Sequence, residues 1–160
     1  MNNEVKMEQN INRPKGQKNK NMKPKILLRI AAVVLFLHAI GHSMGTFAWQ
    51  ADFSDIPSEV VAKMYQDQFN FMGKESTMAS LFTGNGVGGL ILLLLMSVLL
   101  WLVSSWNSKQ AVSILWVVGC GIVTLAVSEM IYFFPMAYTF TLLAAVLVFF
   151  SIFKISKNNS

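Results

Sequence analysis

Few residues of this chain can do chemistry inside an apolar setting. Its only two histidines lie in His38-Ala-Ile-Gly-His42-Ser-Met-Gly45, and Glu129 is the only acidic residue within a long apolar run. On a helix His38, Gly41, His42 and Gly45 fall at i, i+3, i+4 and i+7, so both imidazoles and both glycines share one stripe. Two imidazoles and a carboxylate match a common catalytic zinc set, which makes His38, His42 and Glu129 a candidate metal site. One i, i+4 pair is weak evidence for a metal, and no second cluster supports it. A haem would ask for an axial imidazole and a wide slot, and nothing else in the sequence points to one. Two further roles are open: binding a proton or small ligand, or a structural hydrogen bond between His42 and Glu129 that locks helices.

The elements that must position these residues are apolar and long. The chain has 160 residues, of which 54% are hydrophobic and 13% charged, with a mean hydropathy of +0.49. That is too apolar for an ordinary soluble domain and too short for several domains. Four runs, at about 26–49, 78–104, 110–134 and 136–155, are each long enough to cross the roughly 30 Å of bilayer hydrocarbon as a helix. The expected fold is therefore all-α, a four-helix transmembrane bundle. The connections at 105–109 and around Phe134-Pro135 are short, so neighbouring spans form antiparallel hairpins. Between spans 1 and 2, Ile56, Val60, Val61, Met64 and Tyr65 make an apolar stripe beside Lys63, Gln66 and Asp67. This predicts a short amphipathic helix, with Ser54 or Asp55 as its cap and Pro57 in its first turn.

Charge sets the expected orientation. Residues 1–25, rich in Asn, Lys and Gln, read as a disordered basic tail. With Arg29 just beyond it, the tail places eight Lys and Arg against Glu4 and Glu8. Lys109, Lys154 and Lys157 belong to the same side by the positive-inside rule, which puts both termini, including the short tail 156–160, in the cytoplasm. The segment 51–76, with five acids against two lysines, then lies outside. Trp101, Trp106 and Trp116 gather toward one interface and Trp49, Tyr132 and Tyr138 toward the other, in agreement. A basic tail without interleaved aromatics reads as an orientation signal and a contact for anionic lipid, not as a nucleic-acid arm. Met22 is an alternative start, and the first span, longer than a signal-peptide core and lacking a cleavage site, is expected to be retained.

This topology brings polar residues of all four helices to one depth in the outer half. They are His38, His42, Asn85, Glu129 and Tyr138, with Thr83, Thr139 and Thr141 nearby. Together they predict a polar chamber that binds a small ligand or a proton. Gly84-Asn-Gly-Val-Gly-Gly89 resembles a phosphate loop only superficially, since no strand precedes it and no Lys follows. Ser80, Gly84 and Gly88 at four-residue spacing, like Gly41 and Gly45, instead predict ridges where helices pack closely. Cys120 lies in an apolar run and reads as packing.

Leu28-Arg-Ile-Ala-Ala, His38-Ala-Ile-Gly-His42, Phe69-Asn-Phe-Met-Gly73, the Gly-rich second span and Glu129-Met-Ile-Tyr-Phe-Phe-Pro135 carry a resemblance that runs from about Lys25 to Ile155. Over that length the chain resembles a family of small bacterial four-span inner-membrane proteins with a Gly-His pair in the first span, here Gly41 and His42. It is more loosely similar to DoxX-like membrane proteins. The resemblance implies a four-span fold and an inner-membrane location, and it carries no established activity. Three functions therefore stand: a His/Glu chamber for a small ligand or proton, a structural or partner-binding membrane subunit, and a metal- or haem-dependent membrane oxidoreductase.

Overall fold

A computed structural model describes residues 23–49, 56–106 and 109–158 of the chain. Most of the basic tail, and the Ser54 and Asp55 proposed as caps, lie outside the described residues. Four long helices are apolar enough to cross a membrane: α1 (Pro24–Ala48), α3 (Met78–Val103), α4 (Lys109–Tyr132) and α5 (Pro135–Asn158). Between α1 and α3 lie the short helix α2 (Ser58–Gln66) and a hairpin of β1 (Gln68–Phe71) and β2 (Lys74–Thr77). The protein is thus a multi-span membrane protein built as an all-α bundle. The fourth span starts on Pro135 itself, where a residue with no N–H to offer costs the helix nothing.

α1 is the central helix. It packs along α3 on one side and α5 on the other, α5 packs along α4, and α3 and α4 barely touch. Its buried residues Leu28, Ala31, Leu35, His38 and Ala39 are related by three- and four-residue steps, and Thr46 lies seven beyond Ala39, all on one face of the helix. α4 buries Ala111, Leu115, Val118, Ile122, Ala126 and Glu129 in the same rhythm. In hydrocarbon no solvent drives helices together, so packing and interhelical hydrogen bonds must. Two buried serines supply such bonds: Ser97 of α3 donates to the carbonyl of Ala32 at 2.8 Å, and Ser151 of α5 to that of Pro24 at 3.1 Å.

The hairpin is a finding that the sequence reading did not contain. Phe69 pairs with Ser76 and Phe71 with Lys74, leaving Met72-Gly73 as a two-residue turn. Both turn residues have positive φ, 53° and 90°, the conformation of a type I′ turn. Gly73 adopts it freely, and its N–H is held by the Asn70 side chain at 2.8 Å. β2 runs directly into α3 through Thr77, whose hydroxyl accepts from the Ser80 amide while the Ser80 hydroxyl accepts from the Thr77 amide. Ser80 is therefore half of a capping box and not part of a packing ridge.

α2 is amphipathic as expected, with Val61 and Met64 half-buried and Lys63 exposed, though its N-cap is Pro57 with no side-chain cap. It is tied down by Trp49, whose indole stacks on Tyr65 at 5.9 Å and meets Phe82 at 5.1 Å. Trp49 is consequently buried in an aromatic clamp.

Candidate functional site

Three helices contribute side chains to one buried network. His38 comes from α1, Glu129 from the last turn but one of α4, and Thr141 from the second turn of α5; their exposures are 6%, 6% and 0%. Thr141 sits between the other two. Its hydroxyl donates to Glu129 Oε2 at 2.6 Å and lies 3.0 Å from His38 Nδ1. The second carboxylate oxygen, Oε1, faces His38 Nε2 at 3.6 Å.

The hydrogens in this network can be counted. Thr141 has one, and giving it to Glu129 leaves the hydroxyl oxygen to accept, so His38 Nδ1 carries a hydrogen. Nε2 and Oε1 then face each other. With no proton between them, two lone-pair atoms would oppose each other beside a net negative charge in an apolar span, an expensive arrangement. One proton on either atom makes the pair neutral overall, as imidazolium with carboxylate or as imidazole with carboxylic acid. Either placement leaves Nε2 and Oε1 as complementary groups facing each other at 3.6 Å. The gap of 3.6 Å exceeds a hydrogen bond, and an approach of about 0.5 Å would close it to hydrogen-bond length.

His42 does not take part in this pair. Its ring stands edge-on to that of His38 with centroids 6.4 Å apart, and its Nε2–H donates to the carbonyl of Gly86 on α3 at 3.0 Å. The expected His42–Glu129 bond is therefore corrected to His38–Glu129, with Thr141 as the bridge. The reason is angular: four residues along a helix turn a side chain by about 40°, enough to aim His38 at α4 and α5 and His42 at α3. The same divergence removes the metal site. His38, His42 and Glu129 do not converge on a point, and no group of three His, Cys, Asp or Glu among the described residues could hold a metal ion.

The glycine ridges are corrected as well. A Cβ added at Gly41, Gly45, Gly84 or Gly88 would meet nothing within 4 Å. The close approach is made by Gly86 and Gly89 instead. A Cβ at Gly86 would lie 2.5 Å from the Thr46 hydroxyl oxygen, and one at Gly89 would lie 2.8 Å from His42 Nε2. These two glycines, three apart on α3, form a notch that receives His42 and Thr46, four apart on α1. Of the remaining residues expected in the chamber, Asn85 is exposed and Tyr138 half-buried, and neither has a polar contact with the network. Thr139 turns its hydroxyl back to the Pro135 carbonyl. Sequence reasoning placed Thr141 at the right depth without assigning it a role. The available signal was its spacing, since Thr141 and Ala145 share a face with the buried Ala137 and Ala144.

Phe140 and Phe133 stand beside the two histidines, their ring centroids 6.2 Å and 6.5 Å from those of His38 and His42. No buried side-chain nitrogen or oxygen among the described residues lacks a partner. Compared with family models, with curated proteins and with solved structures, the chain matches none. The chemistry of the site rests on its own geometry.

Proposed function

We propose that this membrane protein holds an exchangeable proton on the His38–Glu129 pair, in the outer half of an inner-membrane bundle whose termini face the cytoplasm. The observation that carries the reading is the facing of His38 Nε2 and Glu129 Oε1 at 3.6 Å with Thr141 occupying the other side of each group. An ionisable pair inside a span is costly to keep and is the usual mark of ligand or proton handling. Glu129 lies one turn from the end of α4, so a proton has a short path to the interface. The resemblance to small four-span inner-membrane proteins supports the fold and location, and the clustering of Lys23, Lys25, Arg29, Lys154 and Lys157 at one end supports the orientation.

The test is an infrared pH titration of the protein in liposomes. Carboxyl and imidazole bands should change together, and both changes should vanish in His38→Gln and in Glu129→Gln. Bands that stay constant across the titration would sink the reading. For orientation, a periplasm-dependent reporter should be active when fused at Asp67 and silent at Lys109, and the reverse result would invert the topology.

A second reading is favoured by the same network: three helices joined through the bonds of Thr141 to Glu129 and His38 also describe a structural lock. The cellular phenotype of a deletion separates the two. A stable His38→Leu/Glu129→Leu protein that complements fully has a lock, and one that folds without complementing has a function.

A further inference from the structure

At the basic end of the bundle, three helix ends leave a cleft of about 430 Å³ between them, a size typical of ligand sites. Its floor is apolar, formed by the buried Leu28 of α1 and Ile155 of α5. Its rim is polar, formed by Lys23 and Lys25 at the start of α1 and by Ser105 and Trp106 just past the end of α3. Neither lysine is buried, so each can keep its charge while its alkyl stem lies along the apolar wall.

The walls are held in place. Ser151 fixes the first turn of α1 to α5 through the Pro24 carbonyl. Ser104, which also lines the cleft, donates to the Trp101 carbonyl at 2.6 Å and accepts from Arg29 Nε at 3.5 Å, while the Arg29 guanidinium lies 4.8 Å from the centre of the Trp101 ring. The cleft is thus a preformed feature beside a cation–π stack.

We infer that this cleft holds the phosphodiester headgroup of an anionic phospholipid, independently of the role of His38 and Glu129. Three considerations select that ligand. The charge is positive and comes from lysines, which bind phosphate as point charges. The N-terminus of α1 adds to it, while the C-termini of α3 and α5 oppose it, so the lysines decide the sign. The cleft lies at the ends of membrane-spanning helices, beside an exposed Trp106 whose ring suits the headgroup layer. Finally, an apolar floor under a basic rim matches a molecule with a phosphate above and hydrocarbon below. A free hydrated anion would gain nothing from Leu28 and Ile155. Basic pockets between spanning helices are a recurrent means of holding anionic headgroups.

The experiment uses the full chain purified in a neutral detergent, titrated with short-chain phosphatidylglycerol, phosphatidylcholine or inorganic phosphate, with bound lipid counted by native mass spectrometry. Phosphatidylglycerol should be retained in preference to phosphatidylcholine. Lys23→Gln/Lys25→Gln should weaken that retention about thirtyfold, the loss expected for two lysines facing an anionic lipid. Lys23→Arg/Lys25→Arg should preserve it, which excludes misfolding as the cause. Lys154→Gln/Lys157→Gln, at the same end but off the cleft, should change it by less than about twofold. Equal retention of the two lipids, equal loss in the two glutamine pairs, or displacement of the lipid by inorganic phosphate at similar concentration would each overturn the assignment.

Discussion

At the basic end of the bundle the buried side chains include large ones, Leu28, Leu35, Leu100, Leu115, Val103 and Val148, fully enclosed around the small Ala31, Ala32 and Ala111. At the other end, apart from the clamp residue Trp49, they are small or polar. Ala39, Ala79, Ala126, Ala137 and Ala144 surround His38, Glu129, Thr141 and Thr46. The first region is held by dispersion between close-packed hydrocarbon, with Ser97 and Ser151 adding two bonds to backbone. The second has little hydrocarbon to interlock and depends on directed polar contacts. Dispersion tolerates small movements of one helix against another, whereas a hydrogen bond is lost when its angle is. One half therefore supplies cohesion, and the other, with the His38–Thr141–Glu129 network, a fixed geometry.

Substitutions that exchange the two modes should sharpen or break this contrast. The largest effect is expected at Leu100, where Leu100→Ala opens a cavity in a fully buried position and should cost about 3–5 kcal/mol of unfolding free energy in mixed micelles. A loss below about 1 kcal/mol would show that lipid or a neighbouring helix fills the space and that cohesion does not reside there.

In the polar half, Glu129→Leu strips His38 and Thr141 of their acceptor and should cost about 3 kcal/mol, while the combined His38→Leu/Glu129→Leu replacement should recover more than half of it. Additive losses in the double variant would mean that the two residues contribute separately and the network is not a unit.

The smallest of the three effects tests the notch. Gly86→Ala drives a methyl against the stiff, buried Thr46 and should cost about 1–3 kcal/mol. Gly84→Ala, with open space around it, should change stability by less than about 0.5 kcal/mol. Equal shifts in melting temperature for the two variants would place α3 in another rotation and remove the seat of His42.

The amphipathic α2 and the capping of α3 show where sequence and structure agree locally and where they part. α2 is legible because its polar and apolar residues are segregated, and β1 and β2 were missed although Gln68-Phe-Asn-Phe and Lys74-Glu-Ser-Thr flank a glycine turn. The segment is too short for a period of two to stand out from a period of 3.6. The rotation of α3 was not legible at all. Leu, Ile, Val and Gly occupy every side of that helix, so no face is marked as the inner one. The ridge expected at Ser80, Gly84 and Gly88 lies on one side of that helix and the notch at Gly86 and Gly89 on another, and the residue types do not choose between them.

By itself the sequence determined the class of the molecule: four runs of hydrocarbon too long for anything but spanning helices, and a pair of histidines and one glutamate too costly to lie in lipid. Those conclusions follow from transfer energies, which depend on composition and length and not on partners. Only the tertiary structure decided which histidine meets Glu129, because His38 and His42 sit on one stripe and differ by about 40° in direction. That difference is resolved by the neighbours alone, by the notch at Gly86 and Gly89 that draws His42 to α3 and by Thr141, which meets His38 from α5.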